Sequence, residues 1–343
     1  MQITTVGLDL AKHISQVHAV DGSGQVVARK RLRRAEVLAF FASVPPCLIG
    51  MEACATAHHW ARQLTGLGHT VKLMSPAYVK AYVKRGKTDA ADAEAICEAV
   101  TRPSMRFVPV KSAEQQRVLM LHRVRALLIR QRTMLVNALR GHLAEFGIIV
   151  AQGISRIREL IQLLTNESAD AVLPPLARRA LAPLVDQLID LQSRIRVLET
   201  ELLAWHRQSQ ESRRLKTIPS VGFITATAIA ATVPDPSLFR SGREFAAWLG
   251  LTPRPNSSGG KERLGRISKM GDGYLRTLLV VGATAVIRYA RTKTAADIAW
   301  INSLLSKKPA RLVSVALANK TARIAWALLA RGEIHRSAVV ASA

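Results

Sequence analysis

Two carboxylates near the amino terminus occur where the surrounding residues predict buried strands. Asp9 lies inside the apolar and β-branched run of residues 4–12, and Glu52 ends a second apolar run, residues 47–51. An unpaired carboxylate in a buried strand is costly, so a divalent cation is the expected partner of Asp9. An aspartate that ends a strand in a turn or caps a loop is the alternative.

A second acidic pair follows in residues 87–96, an alanine-rich run that predicts a helix. Asp89 and Asp92 share one face of that helix because they are three residues apart. Two like charges on one face repel each other unless a cation lies beside them. The helix macrodipole also favours acidic residues in the first turn, so helix capping and metal ligation both remain open.

The other residues suited to chemistry are the neighbouring hydroxyls Ser257 and Ser258, within residues 253–269. Two prolines precede them and two glycines follow, a composition that predicts a loop. Such a loop suits either a passive grip on a phosphate or a serine nucleophile offered to a phosphodiester. The basic residues around the pair are Arg254, Lys261, Arg263, Arg266 and Lys269.

Charge is the strongest signal in the composition. The chain of 343 residues has 49 Lys and Arg against 24 Asp and Glu, a formal net charge of +25. This excess predicts a polyanionic partner, most simply nucleic acid. Because aromatic residues make up only 5% of the chain, contacts with phosphate rather than stacking on bases should dominate, and binding should weaken steeply with salt.

The cysteines and the apolar runs exclude other classes of protein. Cys47, Cys54 and Cys97 form no CxxC pair, which argues against a disulfide framework and against a zinc site. The amino terminus lacks a signal-peptide pattern, and no membrane span is expected. We therefore expect a cytoplasmic, nucleoid-associated protein.

The elements that must position the acidic residues form a mixed α/β pattern. Three strands are followed by alternating helices and strands, and the turn at residues 21–24 predicts a hairpin. The predicted strands are 16–20, 25–32, 47–51 and 70–73, and the predicted helices are 35–44, 56–67 and the short basic helix 76–84.

The middle of the chain predicts two long helices. One runs from a capping box at residues 112–115 to about Phe146, and the other covers residues 176–206 after a break around Gly153. Leucines three and four apart in the second helix predict an antiparallel helical hairpin or an intermolecular coiled coil. We expect a stalk that oligomerises and uses arginines such as Arg123 and Arg130 on phosphate; a solvated helix packed on its own domain is the alternative.

The carboxy-terminal part is predicted to be mostly helical. Residues 218–222, followed by a helix at 223–232, resemble a helix-hairpin-helix segment, although Ser220 stands where a glycine is usual; an ordinary αα-corner fits equally well. Further helices are predicted at 245–249, 274–290, 295–306 and 310–330, with frayed residues from about 337. The predicted domains are 1–110, 111–208 and 209–343.

Together these segments resemble the IS110 family of insertion-sequence transposases over nearly the whole chain. Each motif alone is weak, but their order and spacing are specific. The motifs are residues 7–12 (GLDLAK), 51–53 (MEA), 87–92 (KTDAAD), 218–222 (IPSVG) and 250–254 (GLTPR) running into 257–269.

The resemblance implies an amino-terminal RuvC-like (RNase H-type) domain whose acidic tetrad is Asp9, Glu52, Asp89 and Asp92, and a carboxy-terminal domain whose nucleophile is Ser257. It also implies donor and target DNA, a bridge RNA as guide, and a dimer or tetramer. Oxygen-only ligands favour Mg²⁺, two ions per site. Lys87 is expected to join the basic residues above in binding nucleic acid.

Three functions remain to be distinguished. The first is an RNA-guided recombinase in which Ser257 attacks phosphorus, with Ser258 as the nucleophile if the alignment slips by one residue. The second is a RuvC-type structure-specific nuclease in which water attacks and the serine loop only binds DNA. The third is a non-catalytic nucleic-acid-binding protein whose acidic residues are caps.

Overall fold

The computed structural model describes residues 2–84, 86, 88–153, 156–165, 173–261, 263–290 and 296–336. The chain forms two compact units, Met1–Glu114 and Gln115–Ala343. The three-domain division from the sequence, with boundaries after residues 110 and 208, stays a prediction.

The first unit is built on a mixed sheet of six strands in the order β3-β2-β1-β4-β5-β6. β1, β4 and β5 are parallel, while β2, β3 and β6 run antiparallel to their neighbours. The strands are β1 (Thr5–Asp9), β2 (Ile14–Val20), β3 (Val26–Arg33), β4 (Leu48–Glu52), β5 (Thr70–Met74) and β6 (Phe107–Val108). The mixed α/β fold is confirmed and is consistent with an RNase H-type domain.

Helices cover both faces of this sheet. They are α1 (Val37–Ala42), α2 (Ala57–Gly66), α3 (Pro76–Val79) and α4 (Asp89–Val100). Val6 and Leu8 are fully buried with Phe41 and Leu64, so one face of β1 packs on α1 and α2. Since side chains alternate along a strand, Gly7 lies on the opposite face, beneath α4.

The predicted strands and helices of this unit are confirmed, with ends shifted by a few residues. Asp21 fixes the predicted hairpin turn because its Oδ1 accepts the backbone N–H groups of Ser23 at 2.9 Å and Gln25 at 3.0 Å. The sequence did not predict β6, which at two residues is too short to show a periodic pattern.

The second unit is largely helical, as predicted. Its elements are α5 (Ala113–Ala144), α6 (Ile157–Thr165), α7 (Pro175–Gln208), α8 (Gln210–Lys216), α9 (Phe223–Thr232), α10 (Gly242–Trp248), β7 (Pro253–Pro255), β8 (Leu264–Ile267), α11 (Gly273–Ala290), α12 (Ala296–Leu305) and α13 (Ala310–Arg331).

The two long helices α5 and α7 run antiparallel. Arg125, in the first half of α5, pairs with Glu199 near the end of α7 at 2.6 Å, whereas Leu143 and Leu181 share a core at the other end. Part of the predicted leucine seam is therefore buried within this unit, and the intermolecular coiled coil stays a prediction.

Helix α6 lies between the two long helices, where the sequence predicted a break around Gly153. Its Ile157, Leu160 and Leu164 are buried against α5 and α7 and form a three-helix core. The segment has helical spacing, but it is short and lies between a glycine and a proline pair, which mark loops in a sequence.

A buried histidine joins three helices of the second unit. His122 of α5 makes hydrogen bonds with the Tyr274 hydroxyl of α11 at 3.0 Å and the Thr227 hydroxyl of α9 at 3.1 Å. Burial lowers the pKa of His122 to about 4, so the ring is neutral near pH 7.

Helix α13 alone among the described helices is long and apolar enough to cross a membrane by length and composition. Its Val313, Ala318 and Ala322 are fully buried in the core that α9, α10 and α11 also form. It is therefore a core helix of the second unit.

Candidate functional site

Three of the four predicted acidic residues converge in the first unit. Carboxylate oxygens of Asp9, Asp89 and Asp92 all lie within 4.8 Å of one another. Asp9 and Asp92 are half-buried and Asp89 is exposed. We call these three residues the acidic cluster.

The acidic cluster forms where the end of β1 meets the beginning of α4. Thr88 caps α4, because its Oγ1 accepts the backbone N–H of Ala91 at 3.2 Å. The N-cap position is thus filled by a hydroxyl, and both aspartates stand in the first turn. Capping does not account for the pair, although the helix macrodipole still favours acids there.

Two glycines allow α4 to lie directly on the sheet. A Cβ on Gly7 would lie 2.0 Å from the Ala93 carbonyl oxygen, and one on Gly50 would lie 2.7 Å from Cβ of Val100. Gly7 and Gly50 are register partners on β1 and β4. Their role was not predicted, although glycine inside a strand is a signal of close approach by another backbone.

The pKa of the Asp9 carboxyl is changed by its burial and by the acidic residues around it. Burial raises the pKa of the Asp9 carboxyl to about 6, and the nearby charges of Asp92, Asp89 and Glu52 add to the effect. Burial and like charge both disfavour the ionised form. Asp9 therefore lies where a cation would relieve an existing repulsion.

Glu52 differs from the other three acids. It ends β4, one residue after Met51, the register partner of Leu8, so it lies beside Asp9 at the same edge of the sheet. Its charge acts on Asp9, but its oxygens are outside the 4.8 Å cluster. Hard oxygen donors of this kind fit Mg²⁺.

The serine segment, predicted as a loop, is a β-hairpin in the second unit. β7 pairs with β8 in antiparallel fashion, with Pro255 opposite Leu264. At its tip Gly259 and Gly260 have φ of 56° and 75°, which a two-residue hairpin turn requires. The prolines and glycines that suggested a loop are instead the edge and tip residues of this serine hairpin.

The two serines have different positions in the serine hairpin. The hydroxyl oxygen of Ser257, which is exposed, accepts the backbone N–H of Arg263 at 3.2 Å. Ser258 begins the tip turn, and its carbonyl accepts the N–H of Lys261 at 3.1 Å. A backbone hydrogen bond thus orients the Ser257 hydroxyl.

The predicted basic residues around the serines are all exposed. Arg254 donates to the Ser268 carbonyl at 3.0 Å, which holds its guanidinium along the hairpin. The others are Lys261, Arg263, Arg266 and Lys269. An exposed strip of this charge can contact phosphate.

The base of the serine hairpin is tightly closed. A Cβ on Gly271 would lie 1.8 Å from the Trp248 carbonyl oxygen. Arg276 of α11 donates to the carbonyls of Leu249 at 2.8 Å and Met270 at 3.1 Å, on the two sides of the hairpin. Arg276 was not predicted, because no local sequence pattern separates it from the other arginines.

The remaining predicted nucleic-acid-binding residues lie elsewhere. Arg123 and Arg130 are exposed on α5. Lys87 lies outside the described residues. At the predicted helix-hairpin-helix turn, Ser220 has φ of 79°, and its hydroxyl lies 3.1 Å from that of Thr321; a phosphate-binding role for this turn stays a prediction.

Comparison with known proteins supports one family. The model of the transposase IS116/IS110/IS902 family matches residues 212–298, and the IS110 DEDD transposase model matches residues 6–148. A probable family 20 transposase of Pseudomonas aeruginosa is 52% identical over 98% of this chain and 99% of its own length.

Two further relatives are transposases for named insertion sequences. The one for IS1111A of Coxiella burnetii is 40% identical over 97% of this chain and 92% of its own length. The one for IS1328 of Yersinia enterocolitica is 40% identical over 97% and 98%. The chain belongs to the IS110 family of insertion-sequence transposases, which cut and transfer DNA.

Proposed function

We propose that this transposase exchanges DNA strands through a serine nucleophile, Ser257, together with a Mg²⁺ site formed by Asp9, Glu52, Asp89 and Asp92. The convergence of three aspartate oxygens within 4.8 Å, around a carboxyl whose pKa is raised, carries the proposal. Two divalent ions held there would supply neutralisation of the phosphate oxygens during in-line displacement.

The residues of the acidic cluster and of the serine hairpin have different roles in this proposal. The acidic residues present oxygen donors at the edge of the sheet, and α4 keeps them in place because it is seated on Gly7 and Gly50. In the serine hairpin, the Arg263 N–H orients the Ser257 hydroxyl, and the exposed cations neutralise the phosphate.

The covalent chemistry conserves the phosphodiester. The Ser257 Oγ forms a bond to phosphorus, the bond from phosphorus to the leaving deoxyribose oxygen breaks, the serine loses its proton and the leaving oxygen gains one. In the reverse step a hydroxyl of the second strand attacks the phosphoserine and releases Ser257. No oxidant or nucleotide cofactor is needed.

The proposed partners are donor and target DNA, a structured bridge RNA and further copies of this chain, as a dimer or tetramer. Support comes from the net charge of +25 and from the family resemblance. The proposed location is the cytoplasm, at the nucleoid.

A metal-dependent RuvC-type nuclease is the second candidate. The observation that favours it is the assembly of the acidic cluster within the first unit alone. In this mechanism water attacks phosphorus, and the serine hairpin only binds DNA.

Replacing the serine separates the two mechanisms. Ser257→Ala should abolish both strand cleavage and the covalent protein–DNA adduct seen on a denaturing gel, whereas the matched variant Ser258→Ala should retain both. Cleavage at a near-normal rate by Ser257→Ala would favour the nuclease. An adduct lost only in Ser258→Ala would move the nucleophile by one residue.

A further inference from the structure

A polar cavity of about 740 Å³ lies among α5, α6 and α7, and no residue of the acidic cluster or of the serine hairpin lines it. Three arginines line it, one from each helix: Arg132, Arg158 and Arg196. Within the described ranges of the chain, no carboxylate lies within salt-bridge distance of these three guanidinium groups. We call this space the arginine cavity.

The two glutamates that line the arginine cavity are engaged by other arginines. Glu199 accepts two hydrogen bonds from Arg125, at 2.6 and 2.9 Å. Glu159 is paired with Arg156 of the preceding turn. Both carboxylates are thus paired with cations that do not line the cavity, which leaves the three cavity arginines without an ion-pair partner among the described residues.

The side-chain amide of Gln192 adds a further hydrogen-bond donor to the arginine cavity. Nε2 of Gln192 is buried, and no described residue accepts a hydrogen bond from it. Gln192 also lines the arginine cavity. Buried polar atoms in folded proteins almost always have a partner, so Nε2 of Gln192 is a donor that an acceptor oxygen in the cavity would satisfy.

Arg132 is the most enclosed of the three cations. It is half-buried, and burial lowers the pKa of its guanidinium, an effect that the charge of Glu199 partly offsets. A half-buried guanidinium gains most from a bidentate anion such as phosphate or carboxylate.

We propose that the arginine cavity binds a phosphate group, most simply one phosphate of a nucleic-acid backbone. Three guanidinium groups and one amide supply more donors than a carboxylate can accept, and they match the oxygens of a phosphodiester. The same chemistry would take the phosphate of a free nucleotide or inorganic phosphate.

The test compares two charge removals on one helix. Arg196→Gln removes a cation from the arginine cavity. Arg194→Gln is the matched control, because Arg194 pairs with Asp190 at 2.6 Å and does not line the cavity. The affinity of the full chain for labelled poly(U) RNA and for a labelled DNA duplex is measured across salt concentrations.

We expect Arg196→Gln to weaken binding roughly three- to tenfold and to lower the slope of log K against log salt by about 1, the loss of one phosphate contact. Arg194→Gln should keep the slope of the parent chain. The probe whose slope changes identifies the nucleic acid that enters the cavity.

Thermal unfolding in millimolar inorganic phosphate tests whether the ligand is a free phosphate instead of a nucleic-acid phosphate. If the slopes of both variants match the parent, but phosphate raises the melting temperature of the parent and of Arg194→Gln and not of Arg196→Gln, the ligand is a free phosphate. Gln192→Glu provides a folded control, since its carboxylate should satisfy the arginines, raise the melting temperature and abolish the phosphate effect. Equal slopes together with equal phosphate responses in all variants would overturn the proposal.

Discussion

The acidic cluster should destabilise the protein when no cation is bound, and Asp9→Asn tests this most directly. The pKa of Asp9 rises from 3.8 to about 6 on folding. The folded protein therefore binds this proton more tightly than the unfolded chain does. Stability that is present below pH 3.8 is lost as the pH rises through 6.

The size of the effect follows from the same shift. A difference of roughly 2 pKa units corresponds to at most about 3 kcal/mol, since each unit is 1.36 kcal/mol, and solvent screening of the half-buried carboxyl reduces this value. Asparagine has nearly the same shape and no charge. At pH well above 6, with a chelator present, Asp9→Asn should therefore stabilise the first unit by about 1–3 kcal/mol. At pH 4 it should have little effect.

Hydrogen exchange of peptides from β1 and α4, followed at increasing urea concentration, measures this stability locally in the full chain. Mg²⁺ should stabilise the parent protein at neutral pH and have little effect on Asp9→Asn. Asp21→Asn is the control of opposite sign, because Asp21 is ionised in a turn that it stabilises with its own hydrogen bonds. It should weaken the hairpin and leave the Mg²⁺ response unchanged.

Two results would refute the reasoning about Asp9. One is a loss of stability in Asp9→Asn at neutral pH with chelator, which would make the carboxylate a structural hydrogen-bond acceptor. The other is an equal stabilisation of the variant and the parent by Mg²⁺, which would place the ions elsewhere.

Three other predictions concern residues that hold helices or the serine hairpin in place. Gly7→Ala should lower the free energy of unfolding by at least about 2 kcal/mol and abolish the Mg²⁺ response, because the added Cβ would push α4 away from the sheet. Gly22→Ala is the control and should be tolerated, since its Cβ would meet only one methyl group at 3.9 Å. Equal urea midpoints for the two variants would contradict this. The lowered pKa of the buried His122 ring makes the folded state lose stability as the pH falls from 6.5 towards 4. His122→Gln should therefore reduce this loss of unfolding free energy by about 3 kcal/mol. A variant whose stability falls with pH as steeply as that of the parent would argue against it. Arg276→Met should speed hydrogen exchange at the hairpin base and slow cleavage without lowering the melting temperature by more than a few degrees; unchanged exchange would mean that the glycines alone close the base.

The sheet that carries Asp9 and Glu52 could be predicted from the sequence, because buried strands leave a strong pattern of apolar residues. The meeting of α4 with the sheet could not. It depends on Gly7 and Gly50 lying side by side on neighbouring strands, and strand pairing is a long-range property that the local pattern does not contain. Helix α6 was missed for another reason: the segment has helical spacing, but it is short and lies between a glycine and a proline pair, which mark loops in a sequence.

The serine hairpin shows a different limit. Its composition identified a basic segment with prolines and glycines; in the structure these basic residues are exposed, and Gly259 and Gly260 have positive φ. Composition could not tell a loop from a hairpin, because the same glycines and prolines occur in both. The difference matters for chemistry: pairing of β7 with β8 gives the Ser257 hydroxyl a fixed backbone partner, which an irregular loop would not supply.

The acidic cluster and the serine hairpin are held in place in different ways. The acidic cluster is fixed by close packing of α4 on a buried sheet, which holds its carboxylates in place although their charges repel one another. The base of the serine hairpin is held by the close contact at Gly271 and by Arg276, and the described residues at its tip are exposed. Segments of this kind open at low cost. The tip of the serine hairpin can therefore adjust to a substrate, whereas the geometry of the acidic cluster is set by packing within the first unit.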